Sequence, residues 1–167
     1  PQELGLYPLA ARVAEKLAAF GASAACLEVE ITEDAAIAGD AAIREIQTLS
    51  ALGVRIAIDD FGAGYSSLAS LRALRVERIK IDRGFVIDMK RREGDRILVQ
   101  AILGIGRALG IEVVAEGVEG AEEALLLSRY GCHVAQGYHF ARPMPRLELD
   151  AWMRSAASQG SSVETSP

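Results

Sequence analysis

Five short segments of this chain alternate apolar and polar residues, and stretches of helical length separate them. Over 24–32, Leu27, Val29 and Ile31 share one face of an extended chain, while Glu28, Glu30 and Thr32 share the other. The same alternation places Arg55, Ala57 and Asp59 opposite Val54, Ile56 and Ile58 over 54–59. It recurs over 78–82, 111–115 and 133–136. Apolar residues spaced three and four apart predict helices over 8–21, 40–52, 66–74, 95–109, 121–130 and 147–157. Gly21, Gly53, Gly110 and Gly131 follow four of these patterns, as helix stops do. Asp40 is the expected cap of the second helix, and Ser66 or Ser67 that of the third. The Ser/Gly-rich tail 158–167 is expected to be disordered, leaving one domain over 1–157.

Strands joined by helices run parallel, with right-handed crossovers. Two α/β architectures fit: a doubly wound sheet and a (β/α) barrel of the TIM type. A doubly wound sheet is buried on both faces and reads as continuous Val, Ile and Leu. Here each strand keeps one polar face, which a barrel can turn towards its lumen. The fold expected is therefore an incomplete TIM-like barrel with about five of eight βα units. Within it Arg55 and Arg78 are expected to pair with Glu28 and Glu112.

The 167 residues suffice for one sizeable core. A net charge of −5 argues against a broad DNA- or RNA-binding surface. No stretch approaches ~20 apolar residues, so membrane insertion is not expected. Cys26 and Cys132 lack metal or redox spacing and read as reduced core thiols of a cytoplasmic protein.

On such a barrel Glu30, Asp59, Asp60, Lys80, Glu116 and Gln136 fall near the C-terminal strand ends, where active sites of this architecture form. One carboxylate alone could be a cap or a solvated loop acid. Several polar strand ends together are hard to explain by packing. Acids without His or Cys are hard oxygen donors, suited to Mg²⁺ or Mn²⁺. Adjacent aspartates can hold two ions, as in phosphodiester cleavage. Lys80 could neutralise charge or orient the attacking water. Gly104 and Gly106 lie within a helix pattern and read as packing glycines. The 90–92 basic run reads as a solvated turn, and Trp152 as a residue packed on the barrel. His133 and His139 read as core or rim.

Several stretches resemble the EAL domain, a bacterial phosphodiesterase family that opens cyclic di-GMP to linear pGpG. They are Glu28-Val-Glu30-Ile-Thr-Glu33, Asp59-Asp60-Phe-Gly-Ala-Gly-Tyr-Ser-Ser-Leu68, Ile79-Lys80-Ile-Asp82-Arg-Gly-Phe-Val86, Val114-Ala-Glu116-Gly-Val-Glu119 and Ala135-Gln136-Gly-Tyr138. The resemblance implies that Glu30, Asp59 and Asp60 are metal ligands, Asp59 bridging two Mg²⁺ or Mn²⁺ ions. It implies that Lys80 stands near the attacking water and Glu116 in the catalytic site, with Gln136 close to the second metal. Glu33 and Glu119 resemble supporting residues outside the ligands, Glu33 steadying the 61–68 loop that links the site to a dimer surface. A homodimer, fusion to sensory or cyclase domains and a parent protein that could be membrane-anchored are also implied. So is one barrel strand running against the others.

The family's Glu-Ala-Leu motif and an Asn ligand would both precede Pro1. The expectation is a fragment whose parent domain hydrolyses cyclic di-GMP and which itself does so weakly or not at all. Two alternatives stand beside it. One is a regulatory module that binds cyclic di-GMP without cleaving it. The other is a Mg²⁺-dependent enolising lyase using Lys80 as base.

Overall fold

The computed structural model describes residues 8–35, 39–64 and 68–160. Five parallel strands form one sheet in the order β1 (Glu28–Thr32), β2 (Arg55–Phe61), β3 (Arg78–Ile81), β4 (Glu112–Ala115) and β5 (Val134–Ala135). The helices are α1 (Leu9–Phe20), α2 (Asp40–Ala51), α3 (Leu68–Ala73), α4 (Arg83–Asp88), α5 (Glu93–Leu109), α6 (Ala121–Arg129) and α7 (Arg146–Gly160). All four pairings among the described strands are parallel, so no reversed strand lies within this sheet.

The pleat sorts the strand residues between two faces. Ile31, Ile56, Ile58, Ile79 and Ile81 are buried in the hydrophobic core, together with Ile46 and Leu49 of α2 and Val99 and Ile102 of α5. Burying each such side chain contributes ~1.5–3 kcal/mol. The opposite face carries Glu28, Arg55, Arg78 and Glu112 in one layer, where Glu28 pairs in register with Arg55 and Arg78 with Glu112. Arg78 bonds to Glu28 and to Glu112, and Arg55 Nε lies 3.9 Å from Glu28. The expected pairing on the polar face is therefore present.

Local structure departs from the sequence reading where small or short segments intervene. Residues Ala24–Cys26 form a 3-10 turn, because Cys26 and Leu27 donate to Ser23 and Ala24; β1 starts later. Asp40 does not cap α2 but is its first residue, where its charge suits the helix dipole. Asp82 leaves β3 to cap α4, accepting from the Gly84 amide at 2.8 Å, and α4 itself was absent from the sequence reading. Ser66 and Ser67 lie outside the described residues, as does 161–167. Helix α7 runs to Gly160, so 158–160 are helical rather than disordered. Trp152 is 41% exposed and no described residue of α7 is buried, so its indole is covered only in part. Cys26 is exposed rather than part of the core; Cys132 is half-buried, and both are free thiols. His133 and His139 are both exposed, at the rim.

Gly106 does pack as expected. A methyl group there would lie 2.3 Å from Val113 Cγ2, so its absence lets α5 sit close on β4. Among the described residues no helix is long and apolar enough to cross a membrane.

Candidate functional site

Adjacent residues of a strand point to opposite faces. Asp59 and Asp60 nevertheless share a side. The register between β2 and β3 shifts between Ile58 and Phe61, which marks a bulge. Within it Asp60 adopts a φ of 53°, a left-handed conformation that costs a non-glycine residue ~1–2 kcal/mol and that Asp tolerates better than most. The bulge turns the Asp60 carboxylate back beside that of Asp59 and lets Phe61 rejoin the buried face. Oxygens of Asp59, Asp60 and Glu116 all lie within 4.8 Å of one another.

Lys80 stands at the centre of this group. It is only 8% exposed, on β3 between β2 and β4. Its ammonium lies 2.8 Å from Glu30, 3.0 Å from Asp59 and 2.8 Å from Glu116. Burial alone would lower its pKa; the contacts with Glu116, Glu30 and Asp59 outweigh burial and raise it well above the ordinary lysine value. These carboxylates favour the charged ammonium of Lys80. Desolvation and the nearby charges of Asp59 and Asp82 push the Asp60 carboxyl upwards, partly offset by Lys80.

The donor set suits a hard divalent cation. All its atoms are carboxylate oxygens, and no His or Cys is among them. Asp59 Oδ1 is buried near the Lys80 ammonium but out of line for a hydrogen bond, so it has no such partner among the described residues. Glu30 joins the group through Lys80 rather than through the aspartates.

The remaining expected residues surround this centre. Glu33 is buried and accepts from the Gly62 and Gly64 amides at 3.2 and 2.8 Å, fixing the chain just after the aspartates. Glu119 pairs with Arg83. Gln136 follows β5 and lines a cavity of about 180 Å³ with Glu116, Glu119, Arg83 and Tyr138. Arg83 and Tyr138 were given no role from sequence, although both stand within the stretches quoted above. The cation–π contact of Arg142 with Tyr138, 4.6 Å from the ring centre, was not legible there either. The 90–92 run is only partly solvated: Lys90 reaches the buried Glu123 at 2.7 Å.

A model of the EAL domain matches residues 4–143. The chain belongs to the EAL domain family. NbdA, a cyclic di-GMP phosphodiesterase of Pseudomonas aeruginosa, is 40% identical over 91% of the chain and 20% of its own length. RocR, a cyclic di-GMP phosphodiesterase of the same species, is 40% identical over 87% of the chain and 37% of its own length. Among solved structures, the PaMucR phosphodiesterase in complex with c-di-GMP superposes with a TM-score of 0.78 at 41% identity, covering 82% of this chain and 56% of that one. Klebsiella pneumoniae BlrP1, solved with manganese and cy-diGMP, gives a TM-score of 0.73 at 35% identity over 80% and 34% of the two chains. This EAL chain thus spans a fifth to little more than half the length of these relatives. Its five-stranded sheet is part of an EAL TIM-type barrel.

Proposed function

We propose that this EAL chain carries part of the site of a metal-dependent phosphodiesterase that hydrolyses cyclic di-GMP to linear pGpG. The convergence of Asp59, Asp60 and Glu116 around a charged, buried Lys80 carries this reading. Relatives that share 40% identity are named as enzymes of that activity. Glu30, Asp59, Asp60 and Glu116 would hold Mg²⁺ or Mn²⁺, two ions in the complete site. Such ions supply a nucleophile from water and neutralise charge at phosphorus.

The residues of the chain then have distinct tasks. Lys80 offsets the carboxylates and donates hydrogen bonds towards the attacking water or a phosphoryl oxygen. Water adds to phosphorus as one ester P–O bond breaks, and the leaving oxygen takes a proton. Gln136, Glu119 and Arg83 border the cavity into which the substrate would extend from Glu116. Glu33 holds Gly62 and Gly64, so the position of Asp59 and Asp60 depends on the loop that follows them. Through that loop a homodimer would influence the site. Fusion to sensory or cyclase domains accords with relatives such as the bifunctional cyclase and phosphodiesterase MucR of Pseudomonas aeruginosa.

The enolising lyase is disfavoured because relatives 40% identical to the chain are named as cyclic di-GMP phosphodiesterases. The test is to incubate the chain with cyclic di-GMP and Mn²⁺ or Mg²⁺ and follow pGpG by chromatography. Weak turnover by the chain, lost in Asp59→Ala with the fold retained, is the expected result. Cyclic di-GMP bound but uncleaved by the complete parent domain would identify a regulatory module instead. Turnover undiminished in Asp59→Ala removes Asp59 from the metal site.

A further inference from the structure

Two cations stand one above the other on the polar face of β3, and each reaches beyond its neighbouring strands. Lys80 touches carboxylates on β1, on β2 and just after β4. One pleat below, Arg78 Nη1 donates to both oxygens of Glu28 on β1 at 2.8 Å. Its Nε donates to Glu112 on β4 at 2.7 Å. Between Arg78 and β1 lies Ala57, fully buried and in register with both Glu30 and Arg78. Its small side chain leaves the guanidinium a path across β2.

This geometry ties strands that are not neighbours. β3 lies two strand spacings from β1, about 10 Å, and one from β4. An Arg and a Glu side chain together span that distance, so Arg78 links β1 to β4 across β3. Without metal the upper layer carries four carboxylates, Glu30, Asp59, Asp60 and Glu116, against one ammonium, so its net charge does not draw the strands together. The lower layer is balanced, with Arg55 and Arg78 against Glu28 and Glu112. Arg78 is its keystone, because a planar guanidinium can engage two carboxylates at once in fixed directions.

We propose that Arg78 is a positioning residue for the metal site: forked between Glu28 and Glu112, it holds β1 and β4 at the spacing that brings Glu30, Asp59 and Glu116 to Lys80. The inference rests on the reading of these carboxylates as metal ligands given above. It assigns Arg78 no contact with metal or substrate.

Two variants separate positioning from simple stability. Arg78→Lys keeps the charge but loses the fork. The triple variant Glu28→Gln/Arg78→Met/Glu112→Gln removes the layer's charges together and leaves no unpaired ion. Each is followed by thermal unfolding, by Mn²⁺ affinity from the paramagnetic resonance of free Mn²⁺, and by the ¹H–¹⁵N signal of the Lys80 ammonium without metal. Residues that orient metal ligands from outside typically alter affinity about 10–100-fold. The expected result is a folded triple variant with Mn²⁺ affinity about tenfold lower and the Lys80 signal lost to exchange, and a similar loss in Arg78→Lys. A folded triple variant whose Mn²⁺ affinity stays within about twofold overturns the proposal. If the unaltered chain binds no Mn²⁺, its part of the metal site does not hold the ion alone. The Lys80 signal then decides: retained in the triple variant it overturns the positioning role, lost it supports it. If neither variant folds, Arg78 is a folding residue and the proposal is overturned.

Discussion

Glu123 lies outside the candidate site, yet it is 2% exposed and ionised. One oxygen meets Lys90 at 2.7 Å; the other turns back, buried, over the start of α6, where it completes no hydrogen bond. Burial would raise its pKa, but Lys90 and the amides of Glu123 and Gly120 outweigh burial and lower it. A carboxylate with a lowered folded pKa contributes stability above its unfolded pKa and loses it as pH falls through the folded one. Glu123→Gln is therefore expected to cost ~1–3 kcal/mol near pH 7. In urea titrations the gap from the unaltered chain should close as pH falls below the ordinary carboxylate range. A gap that persists in acid would show that packing, not charge, is what Glu123 supplies. The pair joins Lys90, between α4 and α5, to α6, and nothing in local sequence announces a partner 33 positions away.

Helix α5 approaches β4 through Gly106. Glycine within a helix is worse than alanine by ~1 kcal/mol, so propensity alone favours Gly106→Ala. Contact argues the other way: the added methyl would also lie 2.9 Å from the Ile111 carbonyl, which is backbone and cannot rotate aside. Overpacking of this kind costs ~1–3 kcal/mol, and the clash should prevail. The expected outcome is a Tm lower by about 2–8 °C in thermal denaturation. An unchanged or higher Tm would mean that α5 can shift on the sheet. That Gly106 serves packing was readable from its place in a helical pattern. So was the polar face of the sheet, because a period of two survives in sequence whatever the tertiary fold. The shared side of Asp59 and Asp60 was not, since it depends on a bulge that alternation cannot reveal. Helix α4 was missed although Asp82 marked its start: six residues are too few for periodicity to register.

The five strands differ in support. β2, β3 and β4 have a strand on each side, whereas β1 and β5 have one each among the described residues. Exposed apolar side chains stand on the first and last helices: Phe20 of α1 is 80% exposed and Leu147 of α7 82%. Local opening should follow this ranking. Hydrogen exchange followed by mass spectrometry is expected to protect β2, β3 and β4 most, then β1 and β5, and α7 least. Equal protection of β1 and β3 in the isolated chain would show that another surface covers the edge. The sequence indicated a barrel rather than a doubly wound sheet through Glu28, Arg78, Lys80 and Glu112, whose charges need a shared, curved face. It could not indicate how tightly the edges are held, because that depends on residues beyond each strand's own pattern.

Strand order in space here repeats strand order along the chain. Each strand from β2 to β5 has its preceding neighbour ready as soon as it emerges from the ribosome. The sheet can therefore be laid down in the direction of translation, one βα step at a time. Among these residues, Glu30 and the aspartates are placed ahead of Lys80, and Lys80 ahead of Glu116. Gln136 follows, so the acidic group is assembled before the far wall of its cavity, Gln136 and Tyr138.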